Sequence, residues 1–258
     1  MELPRDPAPE SSGGFASVLF AAGRGARLRP LSDVVPKPAL PLGGAPLGAR
    51  ALAVLVRECP PVLVNLAHMH ARVRRALAPY APPGAVAFAV ESPEPYGTGG
   101  TLAAARERLA APVVTWNADV VTDLRPADLL GAHAAGGAPA TVAVRTVDRG
   151  ADLLVRDRRA IGFVDRRTSP GAAGAAFLGI AVFEPEALAL LPDRRPLGLA
   201  EGLLRPLAAR GRLGVHVHEG YWIDVGTPGR YARAWRDELL GRAPALPSAT
   251  AANDRRGS

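Results

Sequence analysis

Residues 20–42 place the strongest constraint on what this chain can fold into. They read FAAGRGARLRPLSDVVPKPALPL and directly follow the apolar run 15–19. Gly23 and Gly25 allow the backbone to adopt positive φ angles and to approach a ligand closely. Consecutive backbone N–H groups in such a turn form an anion-binding concavity. The stretch therefore predicts a strand followed by a phosphate-binding loop, which is typical of a nucleoside triphosphate site.

The charged side chains of this stretch also favour phosphate. Arg24, Arg27 and Arg29 add positive charge, and the guanidinium fork matches phosphate oxygens. Lys37 stands between two prolines, whose rings restrict the backbone on both sides of it. The chain has 31 lysines and arginines together, and Lys37 is the only lysine. A functional requirement for an ammonium group at position 37 explains the single lysine better than the alternative, a chance lysine in a proline-rich loop.

The apolar pattern predicts an α/β fold. At 258 residues and 48% hydrophobic content, the chain is long enough to bury a core in one large or two small domains. Strands are expected at 15–21, 62–66, 86–90 and 112–117, with helices at 47–58, 68–80, 101–109 and 126–135. This alternation predicts a Rossmann-like, mostly parallel central sheet with helices on both faces. Ligands of such sheets bind at the carboxyl ends of the strands.

Beyond residue 139 the pattern changes to short strands without intervening helices, at 140–147, 153–156, 161–165 and 176–183. This predicts a smaller antiparallel lobe over about 140–185, where a second substrate could bind. Two helices (185–190 and 199–210), a strand (213–219) and a last helix (228–240) follow. We expect one domain over 15–240, with a disordered tail at 1–14 and a flexible tail at 243–258.

Charge and composition exclude several classes of protein. The formal charge is +7 and the sequence pI about 10.6, but the arginines are scattered and aromatic residues make up only 5%. Phosphate substrates are therefore favoured over nucleic acid. We find no apolar run long enough for a membrane span, and charged residues occupy the N-terminus where a signal peptide needs an apolar core. A cytoplasmic protein is expected, and a single cysteine, Cys59, excludes an internal disulfide.

The pattern G-x-G-x-R-L-x-P-L, followed by P-K-P and P-L-x-G-x-P-L, resembles the signature of sugar-1-phosphate nucleotidyltransferases. The fixed positions it fills are Gly23, Gly25, Arg27, Leu28, Pro30, Leu31, Pro36, Lys37, Pro38, Pro41 and Leu47. The resemblance implies that Arg27 and the loop hold the β- and γ-phosphates and that Lys37 bridges the α-phosphate and the sugar phosphate. The loop residues implied in nucleotide binding are Ala22, Gly23, Arg24, Gly25 and Ala26. No hexapeptide repeat of the acyltransferase β-helix type follows.

A second block, residues 91–101, is similar to the base-reading loop of that family and implies nucleotide binding by Glu91, Gly97, Thr98 and Gly99. Its glycines would let a planar base lie against the backbone at a helix start. The Glu91 carboxylate could accept hydrogen bonds from the N1–H and amino groups of guanine, which favours GTP. The alternative for Glu91 is a surface acid in a proline-rich loop.

Two further blocks, at 116–120 and 220–227, match the metal-binding acids of the family at Asp119 and Asp224. Carboxylates together with substrate phosphates are ligands that Mg²⁺ prefers, so the resemblance implies a Mg²⁺ cofactor. Relatives usually have glycine where Ala118 stands. The alternative for Asp119 is a helix cap or a turn.

The second lobe departs from the family. Many relatives carry Glu-Lys-Pro there, whereas residues 164–168 read VDRRT. Asp165 could hold sugar hydroxyls and Arg166 the sugar phosphate, but a solvated hairpin explains both equally well. Two histidine pairs, at 68/70 and 216/218, have strand-face spacing, and ordinary surface or packing roles are favoured over a zinc site.

These blocks imply an Mg²⁺-dependent enzyme that joins a nucleoside triphosphate and a sugar-1-phosphate, with GTP and mannose- or heptose-1-phosphate favoured. A dehydrogenase of the Rossmann type would need a third glycine where Leu28 stands. A P-loop would need G-K-[ST] around the single lysine. Two alternatives stay open: a catalytically silent regulatory or nucleotide-sugar-sensing relative, and an enzyme of the same family that uses UTP or dTTP. The sequence does not indicate the oligomeric state.

Overall fold

The secondary structure follows the order expected from the apolar pattern. The structure is a computed structural model that describes residues 14–165, 168, 171 and 173–247. The strands are β1 Phe15–Phe20, β2 Pro41–Leu42, β3 Ala45–Pro46, β4 Val62–Leu66, β5 Val86–Val90, β6 Leu109–Asn117, β7 Val120–Thr122, β8 Ala140–Val147, β9 Leu153–Arg156, β10 Arg159–Phe163, β11 Gly174–Phe183, β12 Leu213–Val217 and β13 Trp222–Asp224. The helices are α1 Leu31–Val34, α2 Leu47–Glu58, α3 His70–Leu77, α4 Gly97–Ala105, α5 Pro126–Gly136, α6 Pro185–Leu188, α7 Arg205–Ala209 and α8 Pro228–Leu239.

A nine-stranded sheet lies at the centre, in the order β5-β4-β1-β6-β11-β8-β12-β10-β9. The first four strands are parallel neighbours. β11 then runs antiparallel to both β6 and β8, while β12 is parallel to β8. The expected α/β class with a central sheet is confirmed, and the antiparallel strands expected between 140 and 185 extend that sheet.

Two apolar layers cover the two faces of the sheet. Successive strand residues point to opposite faces, so Val18 packs in one layer and Leu19 in the other. The first layer includes Leu102 of α4 and Leu207 of α7, whereas the second includes Leu52 of α2 and further residues of α3 and α5. Each fully buried leucine contributes about 1.5–3 kcal/mol. The helices therefore hold β1 and its neighbours rigidly from both sides.

The parallel strands direct their carboxyl ends to one edge of the sheet. β1 and β6 are paired so that Phe20 lies opposite Asn117, and β1 and β4 so that Phe20 lies opposite Asn65. The loops that follow β1 and β6 therefore begin side by side, and the loop after β5 begins at the same edge two strands away, as the alternation predicts. Within the described part of the chain, no helix is both long and apolar enough to cross a membrane.

Candidate active site

A cavity of about 320 Å³ opens at this edge of the sheet. Its walls are the glycine loop after β1, Lys37, Thr98 at the start of α4, the segment 117–119 after β6, and Gly226. Several predicted site residues from distant parts of the sequence therefore line one cavity.

The glycine loop has the predicted positive φ angle at Gly25 but not at Gly23. Gly25 has φ of +66°, and a Cβ atom there would lie 3.2 Å from Cβ of Lys37. Ser32 fixes the turn, because its hydroxyl donates to the Gly25 carbonyl oxygen at 2.9 Å. Gly23 differs, since a Cβ atom built there would meet no heavy atom within 4 Å. The positive φ and the close packing together favour a glycine at 25, whereas position 23 faces open space.

Lys37, Asp119 and Asp224 converge beside this loop. The Lys37 ammonium donates to Asp119 Oδ2 and lies 4.0 Å from Asp224 Oδ1. The two acids meet because β7 and β13 form a short antiparallel ribbon in which Asp224 lies opposite Val120. The Val225 N–H also donates to the Asp119 carbonyl oxygen at 2.9 Å. The predicted lysine and both predicted acids therefore form one charged cluster.

The electrostatics of this cluster suit a divalent cation. Burial and the neighbouring Asp119 raise the pKa of Asp224, while Lys37 and Arg230 oppose that rise. Asp224 Oδ1 is buried and has no hydrogen-bond partner among the described residues. Adjacent carboxylates with an unsatisfied oxygen fit Mg²⁺, which takes one or two protein carboxylates and completes its shell with phosphates and water.

Two residues near Asp224 were not predicted as part of the site. Arg230, in the first turn of α8, donates to Asp224 Oδ2 at 2.9 Å. A Cβ atom on Gly226 would lie 2.9 Å from Asp224 Oδ1 and 3.0 Å from Nη2 of Arg27. Gly226 therefore allows the Arg27 guanidinium and Asp224 to lie close together. The sequence signal was present, because both residues lie in or directly after the fourth block.

Glu91 corrects an expectation. It is only 3% exposed, and its Oε2 accepts from the Tyr96 N–H at 2.7 Å. Its Oε1 accepts from the Asn65 side-chain amide at 2.9 Å. The carboxylate thus points into the protein. It holds the loop instead of facing a guanine base in the cavity.

The glycines of this block also make contacts that the sequence did not predict. Gly97 has φ of +74°, and its Cβ would lie 2.5 Å from the Leu197 carbonyl oxygen. The Gly99 N–H donates to that same oxygen at 2.9 Å. Thr98 lines the cavity, and its hydroxyl accepts from the Leu199 N–H at 3.1 Å. The segment 197–199 therefore covers Gly97 and Gly99, and of the four predicted residues in this block only Thr98 lines the cavity.

Other predicted residues do not line the cavity or lie outside the described structure. The Arg24 side chain is exposed, as is Asp165, and neither they nor Ala22 are among the residues that line the cavity. Arg166 lies outside the described residues. Their roles stay predictions. His218 bonds to Asp123 at 2.8 Å, and no cluster of three or more metal-ligating side chains occurs in the described ranges.

Fold and site together define an α/β protein whose cavity brings a glycine loop, a lysine and an acid to the carboxyl ends of parallel strands. The chain belongs to the Nucleotidyl transferase family, whose sequence pattern matches residues 16–239. The resemblance drawn from the four blocks is thereby confirmed.

Relatives of known name support this membership. The chain is 28% identical over 222 residues to the mannose-1-phosphate guanyltransferase of Pichia angusta, across 82% of this chain and 60% of that protein. It is 28% identical over 236 residues to the mannose-1-phosphate guanylyltransferase of Mycobacterium tuberculosis, across 88% and 66%. The chain thus spans less than two thirds of the length of these two relatives.

A solved structure confirms the fold. HddC from Yersinia pseudotuberculosis, complexed with GMP-PN, superposes with a TM-score of 0.71 at 20% identity. The match covers 86% of this chain and 99% of HddC. At this identity the likeness supports the architecture alone.

Proposed function

We propose that this protein is an Mg²⁺-dependent nucleotidyltransferase that joins a nucleoside triphosphate and a sugar-1-phosphate into a nucleotide sugar and pyrophosphate. The observation that carries the proposal is the convergence of Lys37, Asp119 and Asp224 beside the glycine loop. GTP is the favoured nucleotide and mannose- or heptose-1-phosphate the favoured sugar. The names of the mannose-1-phosphate guanylyltransferase relatives support that choice.

The glycine loop binds the triphosphate in this proposal. Backbone N–H groups of residues 22–26 and the guanidinium of Arg27 bind the β- and γ-phosphates, with Arg24 adding charge at the mouth. Donors fixed in place before the reaction stabilise the negative charge that develops on the departing pyrophosphate. Thr98, which also lines the cavity, contacts the nucleoside.

The reaction itself is an in-line displacement. An oxygen of the sugar-1-phosphate attacks the α-phosphorus, and the bond from that phosphorus to the bridging oxygen breaks. Pyrophosphate leaves with the electron pair. The attacking phosphate oxygen is already ionised at neutral pH, so no protein base is needed. Lys37 lies between the two anionic phosphates and reduces their repulsion, and positioning supplies most of the rest.

Asp119 and Asp224 would hold the Mg²⁺ ion, whose chemistry is neutralisation of charge on phosphate oxygens. Asp165 and Arg166 would contact the sugar hydroxyls and the sugar phosphate. We expect the reaction to occur in the cytoplasm, where nucleoside triphosphates are made.

The test is a pyrophosphate-release assay with Mg²⁺, in which GTP, UTP and dTTP are each paired with mannose-, heptose- and glucose-1-phosphate. We expect the fastest release with GTP and mannose- or heptose-1-phosphate. Fastest release with UTP or dTTP would refute the base assignment alone.

The second candidate function is a catalytically silent relative that senses nucleotides or nucleotide sugars. Ala118, at a position where relatives usually have glycine, and the absence of Glu-Lys-Pro at 164–168 favour it. Calorimetric binding of GTP without pyrophosphate release from any pair would establish it and refute the proposed reaction.

A further inference from the structure

A buried polar cluster lies behind the cavity and is not used by the proposed reaction. Its centre is Asn65, a polar residue at the end of the otherwise apolar strand β4. Asn65 is 2% exposed, and its Oδ1 accepts from the Ala21 N–H at 2.8 Å. Ala21 is the first residue after β1, where the glycine loop begins. One end of the Asn65 amide therefore holds the start of the phosphate loop.

The other end of the amide holds Glu91 and Thr101. Asn65 Nδ2 donates to Glu91 Oε1 at 2.9 Å and to the Thr101 hydroxyl at 3.0 Å. That hydroxyl lies 2.5 Å from Glu91 Oε1 and 2.9 Å from the Gly97 carbonyl oxygen, and its single proton goes to one of them. Thr101 has no exposed surface. All three side chains are therefore shielded from water, where hydrogen bonds are strong and unsatisfied groups are costly.

The cluster ends at the backbone of residues 91–98, the segment between β5 and the start of α4, which we call the base-side loop. Glu91 Oε2 accepts from the N–H of Tyr96, the residue that precedes α4. A carboxylate at a helix N-terminus is favoured by the helix dipole. Thr98, two residues further on, lines the cavity, as does Ala21. The chain of hydrogen bonds from Ala21 through Asn65 and Glu91 to Tyr96 thus joins two walls of the cavity.

We propose that Asn65, Glu91 and Thr101 are positioning residues that set the separation between the phosphate loop and the base-side loop. The inference rests on the proposed function, because it assigns the two walls to the two ends of one nucleoside triphosphate. A shift of either wall places the phosphates and the base out of register with each other. The sugar phosphate binds on the other side of Lys37 in the proposed function. The cluster therefore does not position it.

The cluster offers a reciprocal substitution that reverses its central hydrogen bond. In Asn65→Asp a second buried carboxylate oxygen faces Glu91 Oε1, so two acceptors oppose each other. In Glu91→Gln one carboxylate oxygen is replaced by an NH₂ group. This donor then faces another donor, either Asn65 Nδ2 or the Tyr96 N–H. In the double variant the Gln NH₂ donates to the Asp oxygen while the Gln oxygen still accepts from Tyr96 N–H. The double variant keeps the net charge and the number of hydrogen bonds of the wild type.

The experiment measures the dissociation constant of GTP with Mg²⁺ by calorimetry, and KM and kcat for both substrates, in the wild type, the two single variants and the double variant. Each single variant should weaken GTP binding by about tenfold or more, and the double should return to within about threefold of the wild type. The KM for the sugar phosphate should change by less than about threefold, because the cluster does not contact that substrate.

Ser17→Ala is the matched control. Ser17 is a fully buried polar residue of β1 whose hydroxyl donates to the Cys59 carbonyl oxygen at 2.8 Å. It lies away from the cavity, so its loss should lower the melting temperature and leave GTP binding unchanged. If Asn65→Asp does not fold, Thr101→Val removes the shared hydroxyl from the same cluster and should weaken GTP binding in the same direction.

Single variants that melt earlier but bind GTP like the wild type would reduce the cluster to a structural role and overturn the inference. Losses that simply add in the double variant would also overturn it. A wild type that binds GTP but releases no pyrophosphate with any sugar phosphate would refute the proposed reaction alone, because the binding comparison still decides the role of the cluster. A wild type that binds neither GTP, UTP nor dTTP refutes both.

Discussion

The two ends of the cavity use their polar groups in opposite ways. At the phosphate end, where we propose that the triphosphate binds, Lys37 and Asp119 line the cavity. Asp224 lies beside Lys37, at 4.0 Å, and its Oδ1 has no hydrogen-bond partner in the described structure. At the base end, both oxygens of Glu91 accept hydrogen bonds from the protein itself. Gly97 likewise packs against Leu197. The first end presents charged groups that fit the anionic ligand and the cation of our proposal, whereas the polar groups of the second end are bonded within the protein.

This difference shows that a residue type suited to a chemistry does not by itself identify the group that performs it. A carboxylate can read guanine, but it can equally satisfy a helix start and an asparagine amide. The glycines at 23 and 97 illustrate the same point, since only the second is required by a close backbone contact. Variants at the two ends should therefore fail in different ways.

The largest effect is expected at the phosphate end. Lys37→Ala, Asp119→Ala and Asp224→Ala should each lower kcat by about 10²–10³-fold or more, because the first removes a positive charge beside the transferring phosphoryl group and the other two remove carboxylates that would hold Mg²⁺ there. Circular dichroism should show that the fold survives. Arg212→Gln, which removes an exposed ion pair with Glu186, is the control and should behave like the wild type. Normal turnover in any of the three alanine variants would refute that residue's assignment.

Alanine variants of Gly23 and Gly97 distinguish a role in packing from a role in ligand binding. Gly97→Ala should lower the free energy of unfolding by about 1–3 kcal/mol, because its φ is strained for alanine and its Cβ meets the Leu197 carbonyl. Gly23→Ala should leave thermal unfolding unchanged and weaken GTP binding, because its Cβ would point into the space that the phosphates occupy in our proposal. Equal loss of stability in both variants would remove the distinction between the two ends of the cavity.

A metal-binding measurement tests how Lys37 affects the two acids at the phosphate end. The Lys37 ammonium lies against the carboxylates that would hold a cation. Lys37→Gln removes that charge, so Mn²⁺, followed by electron paramagnetic resonance without substrates, should bind about tenfold more tightly than to the wild type. Glu91→Gln serves as the base-end comparison and should leave Mn²⁺ affinity unchanged. Weaker Mn²⁺ binding to Lys37→Gln would show that the lysine organises the acids instead of competing for them.

The smallest effect is expected for Arg230, a residue of the phosphate end that lies outside the motif blocks. Its bond to Asp224 is partly exposed, with 48% of the arginine side chain accessible, and such pairs contribute about 0.2–1 kcal/mol. Arg230→Gln should therefore lower kcat/KM by only about two- to fivefold. A loss as large as that of Asp224→Ala would show that Arg230 contacts substrate directly.

The amino-acid sequence determined the strand and helix order where apolar patterns are long enough to be distinctive. β1, β4, β5 and β8 lie within a residue of their predicted bounds. The ribbons β2–β3 and β7–β13 escaped prediction because two or three residues carry no periodicity. Sequence also predicted which residues meet at the phosphate end, because a glycine turn, one lysine and two acids in that pattern match the four blocks of the family.

Only the tertiary structure decided which of these side chains face the cavity. The β7–β13 ribbon brings Asp119 and Asp224 together, and no local pattern encodes that pairing. Asn65 stood unassigned in an apolar strand until Ala21, Glu91 and Thr101 were seen to surround it. The physical reason is that burial and hydrogen-bond satisfaction depend on residues far apart in the chain, so the direction in which a polar group points is a property of the packed molecule.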